Sequence, residues 1–161
     1  MRFELVSEWH LAAPPEAVWQ VLEATEAWPL WWPEIRRVDL LAPGGENDEG
    51  AVRRTWWTSH LPYGFVIDFV TRAADKPHLL AVEARGDLVG MGRWEIAAIP
   101  VGSRVRYFWQ VHPHKAWMRW LAPLLAPVFA WNHHAVMKDG AAGMAYRLGV
   151  ELLDYRKGAT T

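Results

Sequence analysis

Trp117-Met118-Arg119-Trp120-Leu121-Ala122-Pro123-Leu124-Leu125-Ala126-Pro127-Val128-Phe129-Ala130-Trp131-Asn132-His133-His134-Ala135-Val136-Met137 is the stretch on which the reading of the fold turns. It lies inside a longer segment, Lys115 to Tyr155, that reads as one long helix or two helices in line. A helix rises about 1.5 Å per residue, so a run of this length crosses a small domain. At about 100° per residue, Trp117, Leu121, Leu124, Val128, Trp131, Ala135, Ala142 and Tyr146 share one stripe. Leu125, Phe129, Asn132, Val136, Gly140 and Gly143 form a second stripe, ending in glycines that admit another backbone closely. Pro123 and Pro127 each remove an internal amide and crowd the carbonyl four residues back, which predicts a kink or break. The expected arrangement is a sheet wrapped around this helix, with an apolar space between them.

Working outward, the residues before it alternate as half-buried strands do. Phe3, Leu5, Ser7, Trp9 and Leu11 share one face, with Arg2, Glu4, Glu8 and His10 on the other. Ala12-Ala13-Pro14-Pro15-Glu16 opens a helix, with proline in its first turn and an acid near its N-terminus. Thr25 to Trp32 reads as a second short helix capped by Thr25 and ended near Pro33. Ile35 to Leu41 is a modest strand, followed by a polar loop over 43–50. Ala51 to His60 and Tyr63 to Ala73 pair as a hairpin, and His78 to Arg85 follows. Leu88, Gly90, Gly92, Trp94 and Ile96 then share a face, as do Val105, Tyr107, Trp109 and Val111, with the charges opposite. This is an antiparallel meander with one wet face. Trp56 and Trp57 make both faces of Ala51 to His60 apolar, so its parity stays open between Arg53 and Arg54 inward.

Composition narrows the function. The 161 residues fit one domain, expected over 1–156 with a frayed tail over 157–161. A net charge of -1 argues against a nucleic-acid partner. With no cysteine, disulfides, thiolate metal sites and thiol catalysis are excluded. The opening residues Met1 to Leu5 lack the apolar core of a signal peptide and no spanning run appears, which makes a cytoplasmic location the expectation. Twelve tryptophans exceed what core filling usually takes. They build either an unusually aromatic core or an aromatic cavity for an apolar ligand.

The element order, with Ala13-Pro14-Pro15-Glu16-Ala17-Val18-Trp19, Trp28-Pro29-Leu30-Trp31-Trp32-Pro33-Glu34-Ile35, Gly86-Asp87-Leu88 and Gly92-Arg93-Trp94, resembles the START-like (Bet v 1-like, SRPBCC) superfamily. Within it, the chain is similar to the polyketide cyclase/dehydrase and lipid-transport branch. The resemblance implies an α+β helix-grip fold: a curved seven-stranded antiparallel sheet around a long C-terminal helix, two short helices after the first strand, and a hydrophobic cavity. Members bind lipids, sterols, polyketides or plant hormones, and a minority catalyse cyclisation or dehydration. Fold analogy does not choose among these.

The residues themselves favour binding of a hydrophobic small molecule, for which the resemblance implies a class such as a lipid, quinone or polyketide, with no catalytic residue and no cofactor assigned. Trp57, Phe69, Trp94 and Trp109 are expected as wall, Trp131 and Val136 as lid, and Tyr107, Asn132 and Asp139 as polar contacts. Asn132 serves equally well to satisfy backbone groups freed by the prolines. The alternative, a polyketide cyclase, aromatase or dehydratase, needs an inward ionisable group such as Arg54 or Asp139. No hydrolase triad can be drawn around Ser7, and Gly86 to Gly92 lies between strands rather than before a helix, against a phosphate loop. Adjacent His133 and His134 diverge on a helix, and His112 and His114 lack a nearby acid, so no metal is expected. Trp117 to Trp131, apolar nearly all round, would bury against a homodimer partner or touch a membrane transiently.

Overall fold

A computed structural model describes residues 2–158. Its strands are β1 (Phe3–Leu11), β2 (Ile35–Ala42), β3 (Val52–Trp57), β4 (Phe65–Asp75), β5 (Leu79–Gly86), β6 (Leu88–Ile99), β7 (Gly102–Pro113) and β8 (Leu152–Lys157). They form one sheet in the order β2-β3-β4-β5-β6-β7-β1-β8. Every pairing is antiparallel. Helix α1 (Pro15–Glu23) and a 3-10 helix (Thr25–Leu30) follow β1, and the long helix α2 (Ala116–Leu148) lies between β7 and β8. This is the expected helix-grip architecture, with eight strands in place of seven.

The eighth strand corrects the reading of Lys115 to Tyr155 as helix throughout. Gly149 takes the left-handed conformation, φ 69°, that glycine adopts without steric cost, and Val150 N–H bonds the Ala145 carbonyl at 3.0 Å. The chain then turns back to lie beside β1, with Tyr155 opposite Trp9. Of the tail expected over 157–161, Lys157 pairs with Ser7 and Gly158 N–H bonds the Val6 carbonyl at 2.8 Å. Residues 159–161 lie outside the described residues.

Of the kink or break expected at Pro123 and Pro127, a break does not occur; α2 runs through both. The carbonyls deprived of partners are those of Arg119 and Pro123, both exposed residues, where water can take the place of the lost bonds. The buried face of α2 also differs from the first stripe. Met118, Ala122, Asn132, Val136, Met137, Gly140, Ala141, Met144 and Ala145 face inward. Trp117, Leu121, Leu124, Val128, Trp131 and Tyr146 are exposed. Small residues define the inner side because α2 must come close to the segment after α1. A Cβ on Gly140 would stand 2.4 Å from the Trp32 ring, and one on Gly143 would stand 1.8 Å from the Trp31 carbonyl oxygen.

Replacing Gly143 by alanine sets two effects against each other. Alanine favours the helix by about 1 kcal/mol. The clash is with backbone, which has no rotamer to yield, and overpacking costs about 1–3 kcal/mol or more. Gly143→Ala is expected to lower stability by about 2 kcal/mol in urea unfolding, and an unchanged midpoint would remove the close approach as a determinant of the fold.

Candidate functional site: an aromatic cavity under the long helix

Between the sheet and α2 lies a cavity of about 350 Å³. Strand alternation explains its wall. Trp94 on β6 and Tyr107 and Trp109 on β7 point inward at register positions that bring their rings together. Trp94 stacks on Tyr107 at 4.2 Å between centroids, and Tyr107 stacks on Trp109 at 5.6 Å. Phe69 on β4 continues this surface, 6.0 Å from Trp109. Gly92 makes room for it, since a Cβ there would meet the Tyr107 hydroxyl at 2.7 Å. Across the cavity, Trp28 and Trp32 close one end and Asn132, His133, Val136 and Met137 of α2 form the roof.

The structure therefore brings Trp57, Phe69, Trp94, Tyr107, Trp109, Asn132 and Val136 into one lining. Trp131 and Asp139 lie outside it. Trp131 belongs to the outward stripe and is 55% exposed, and the Asp139 carboxylate turns to His60 Nε2, 3.0 Å away. The open parity of β3 resolves with Arg53, Thr55 and Trp57 inward. Arg54, the candidate ionisable group of the cyclase reading, points outward into a two-bond ion pair with Asp68 at 2.8 and 2.9 Å. Arg53 instead meets Glu26 at 2.8 Å and Asp48, and with Glu23 and Lys76 it gives one part of the lining a charged edge.

The polar points inside are few. Burial pushes the Tyr107 phenol well above its ordinary value, so it stays protonated and able to donate. The Oδ1 of Asn132 accepts the backbone N–H of His60 at 2.9 Å, which ties the loop after β3 to α2 rather than repairing the proline sites. His133, not expected in the cavity, has an Nε2 closed to solvent and without a hydrogen-bond partner. Burial, reinforced by neighbouring His134, pushes its ring down to about 3, so the imidazole is neutral. Its place one step from Asn132 and opposite the Trp117 stripe was the sequence signal for this position.

A second cluster sits beside the cavity. His60 Nε2 lies 3.2 Å from Glu34 Oε1 and 3.0 Å from Asp139 Oδ2. Burial, then the Asp139 carboxyl beside it, pushes Glu34 up to about 7, and Asp139 followed by Glu34 holds His60 above its ordinary value against partial desolvation. Residues 26 and 79 positions apart from His60 carry no local spacing that a sequence pattern could reveal.

A family model described as polyketide cyclase / dehydrase and lipid transport matches residues 2–149. No curated protein matches the sequence significantly. Among solved structures, the Zhui aromatase/cyclase from a Streptomyces species is similar at TM-score 0.71 and 13% identity, over 92% of this chain and 93% of its own. A START superfamily protein from Mycobacterium smegmatis gives TM-score 0.71 and 16% identity over 92% and 97%. The di-domain ARO/CYC BexL gives TM-score 0.73 and 16% identity over 93% of this chain and 51% of its own. At these identities the likeness is one of fold.

His133 carries a pH signature. The unfolded imidazole titrates near 6.5 and the folded one near 3. Below pH 6.5 the unfolded chain therefore binds the extra proton, so the contribution is complete above 6.5 and is lost as pH falls towards 3. Between pH 7 and 5 the loss amounts to about 2 kcal/mol. Urea unfolding of the native protein and His133→Gln should differ in pH slope by that amount, and parallel curves would place a titrating or hydrated imidazole there.

Proposed function

The chain belongs to the polyketide cyclase/dehydrase and lipid-transport family, and from that premise we propose that it binds a hydrophobic small molecule, such as a lipid, quinone or polyketide, between the sheet and α2. The observation that carries this reading is the composition of the lining: aromatic rings on the sheet side and two neutral polar groups, Tyr107 and His133, with the ion-paired Arg53, Asp48, Glu23 and Lys76 at one edge. Affinity would come from apolar burial at about 25 cal/mol per Å², with Tyr107 and the free His133 nitrogen fixing orientation. The cyclase reading stands second: the His133 imidazole turns a free nitrogen to the cavity, although a ring held near 3 is a weak proton acceptor. Turnover of a polyketide analogue that His133→Gln abolishes while binding persists would establish it.

The outer face of α2 offers a route for the ligand. Trp120 is 87% exposed, Leu124 77% and Trp117 54%, and residues 115–138 contain Lys115, Arg119 and Lys138 but no acid. An apolar, aromatic and cationic helix face suits the boundary of an anionic bilayer. No helix among the described residues is long and apolar enough to cross a membrane, so the contact would be peripheral.

Two measurements test these readings. Organic extraction and native mass spectrometry of the purified protein should reveal a bound apolar compound, and tryptophan fluorescence should respond to fatty acids, sterols or flavonoids. Phe69→Ala should weaken that binding at least about tenfold with the fold intact; unchanged affinity would place the ligand elsewhere. Co-sedimentation with anionic vesicles should be lost in Trp120→Glu, whereas a dimer that the same substitution dissociates would assign this face to a second copy.

A further inference from the structure

Three elements far apart in the chain converge beside the cavity. Glu34 stands just before β2, His60 in the loop after β3, and Asp139 in the second half of α2. One nitrogen and two carboxylate oxygens from these side chains all lie within 4.8 Å of one another. The two contacts of His60 Nε2, at 3.2 and 3.0 Å, are close to the edge of a zinc tetrahedron, about 3.3 Å when metal–ligand bonds are about 2.0–2.1 Å. Glu34 is 6% exposed, yet its Oε2 is closed to solvent and has no hydrogen-bond partner. A buried carboxyl oxygen without a donor is satisfied by a proton, a water or a cation, and here it belongs to the same carboxyl group whose Oε1 faces His60. The other two side chains are 40% and 42% exposed, which leaves an entry path.

We propose that Glu34, His60 and Asp139 form a divalent transition-metal site of the Zn²⁺ type, with a fourth position open to water. The donor set, one imidazole and two carboxylates, suits such ions better than calcium or magnesium, which prefer oxygen alone. Without metal, two carboxyl groups crowd one imidazole, and a proton held between them is the alternative to a cation. A bound ion would take the place of that proton and replace the two bonds of His60 by three coordinate links.

Its mechanical effect follows from Asn132. That side chain already accepts the His60 amide, and Thr58 and Ser59 of the same loop line the cavity. Metal would clamp this loop to α2 and slow exchange of a cavity ligand. This consequence rests on the binding function, while the site itself does not.

The test uses the full chain, stripped with chelator and free of apolar ligand, titrated calorimetrically with Zn²⁺ alone. One equivalent should bind, raise the melting temperature and change the fluorescence of Trp131, whose ring lies 6.1 Å from that of His60. His60→Ala, at an exposed loop position, should weaken binding at least about a hundredfold with an unchanged circular dichroism spectrum. Asp139→Asn should do the same, so that failure of either variant to fold leaves the other decisive. Absence of Zn²⁺ binding, or binding that both folded variants retain, would overturn the site and leave an ion-pair cluster. Because no apolar ligand is present, these outcomes do not depend on whether the cavity is a binding site.

Discussion

The architecture depends on one contact, the seating of α2 on the tryptophans after α1. Gly140 and Gly143 let the helix backbone reach Trp32 and the Trp31 carbonyl, distances at which any side chain would intrude. The Trp32 indole N–H then donates to the Val136 carbonyl at 3.0 Å, a buried bond between parts of the chain 104 residues apart. The same ring meets Trp9 of β1 at 5.8 Å, Trp57 of β3 at 5.2 Å and Trp94 of β6 at 6.2 Å. A single side chain thus fixes the height of the roof above both halves of the sheet. Aromatic rings have few rotatable bonds, so the space left under the helix is set by stiff objects and persists without a ligand.

That contact also separates the two uses of tryptophan. Trp9, Trp28, Trp31 and Trp32 pack edge to face, tilted or stacked against neighbours and hold elements together, Trp28 and Trp32 also closing one end of the cavity. Trp57, Trp94 and Trp109 share this packing on one side and present a second face to the cavity. Trp117 and Trp120 join neither group, and lie on a helix face left exposed among the described residues. The aromatic-core and aromatic-cavity readings of the composition are therefore both met, by overlapping sets of residues.

Much of this was legible before the structure. Two-residue alternation located the inward faces of β6 and β7, because a one-residue slip would have buried Arg93, Arg104 and Arg106. It failed at β3, where Trp56 lies under Arg37 in a cation–π contact 4.9 Å from the ring, so an outward aromatic mimicked an inward one. On α2, the second stripe, with Asn132, Val136 and the two glycines, is the one that faces inward, and the stripe richest in large apolar residues is the one left exposed. The inner side was chosen by smallness, Ala122, Gly140, Ala141 and Gly143, which hydrophobic periodicity does not weigh. Gly149 was a readable stop signal for the helix, but alternation over six residues of β8 was too short to outweigh the long run before it. Glu34, His60 and Asp139 were hidden for a different reason, since their convergence exists only once loop and helix are docked.

The place of β1 has a consequence in time. Its neighbours are β7 and β8, so Phe3 pairs with Val111 and Trp9 with Tyr155. On a ribosome adding about 5–20 residues per second, the first strand waits on the order of ten seconds for either partner. Throughout that interval it offers two unpaired edges and an apolar face carrying Trp9 and Leu11, while β2 to β6 can already pair locally. Its outer face, with Glu4, Glu8 and His10, is then the only charged side it presents to other chains. The first strand of this sheet to be made is thus among the last to be covered, and the sheet is most exposed to misassociation before β7 emerges.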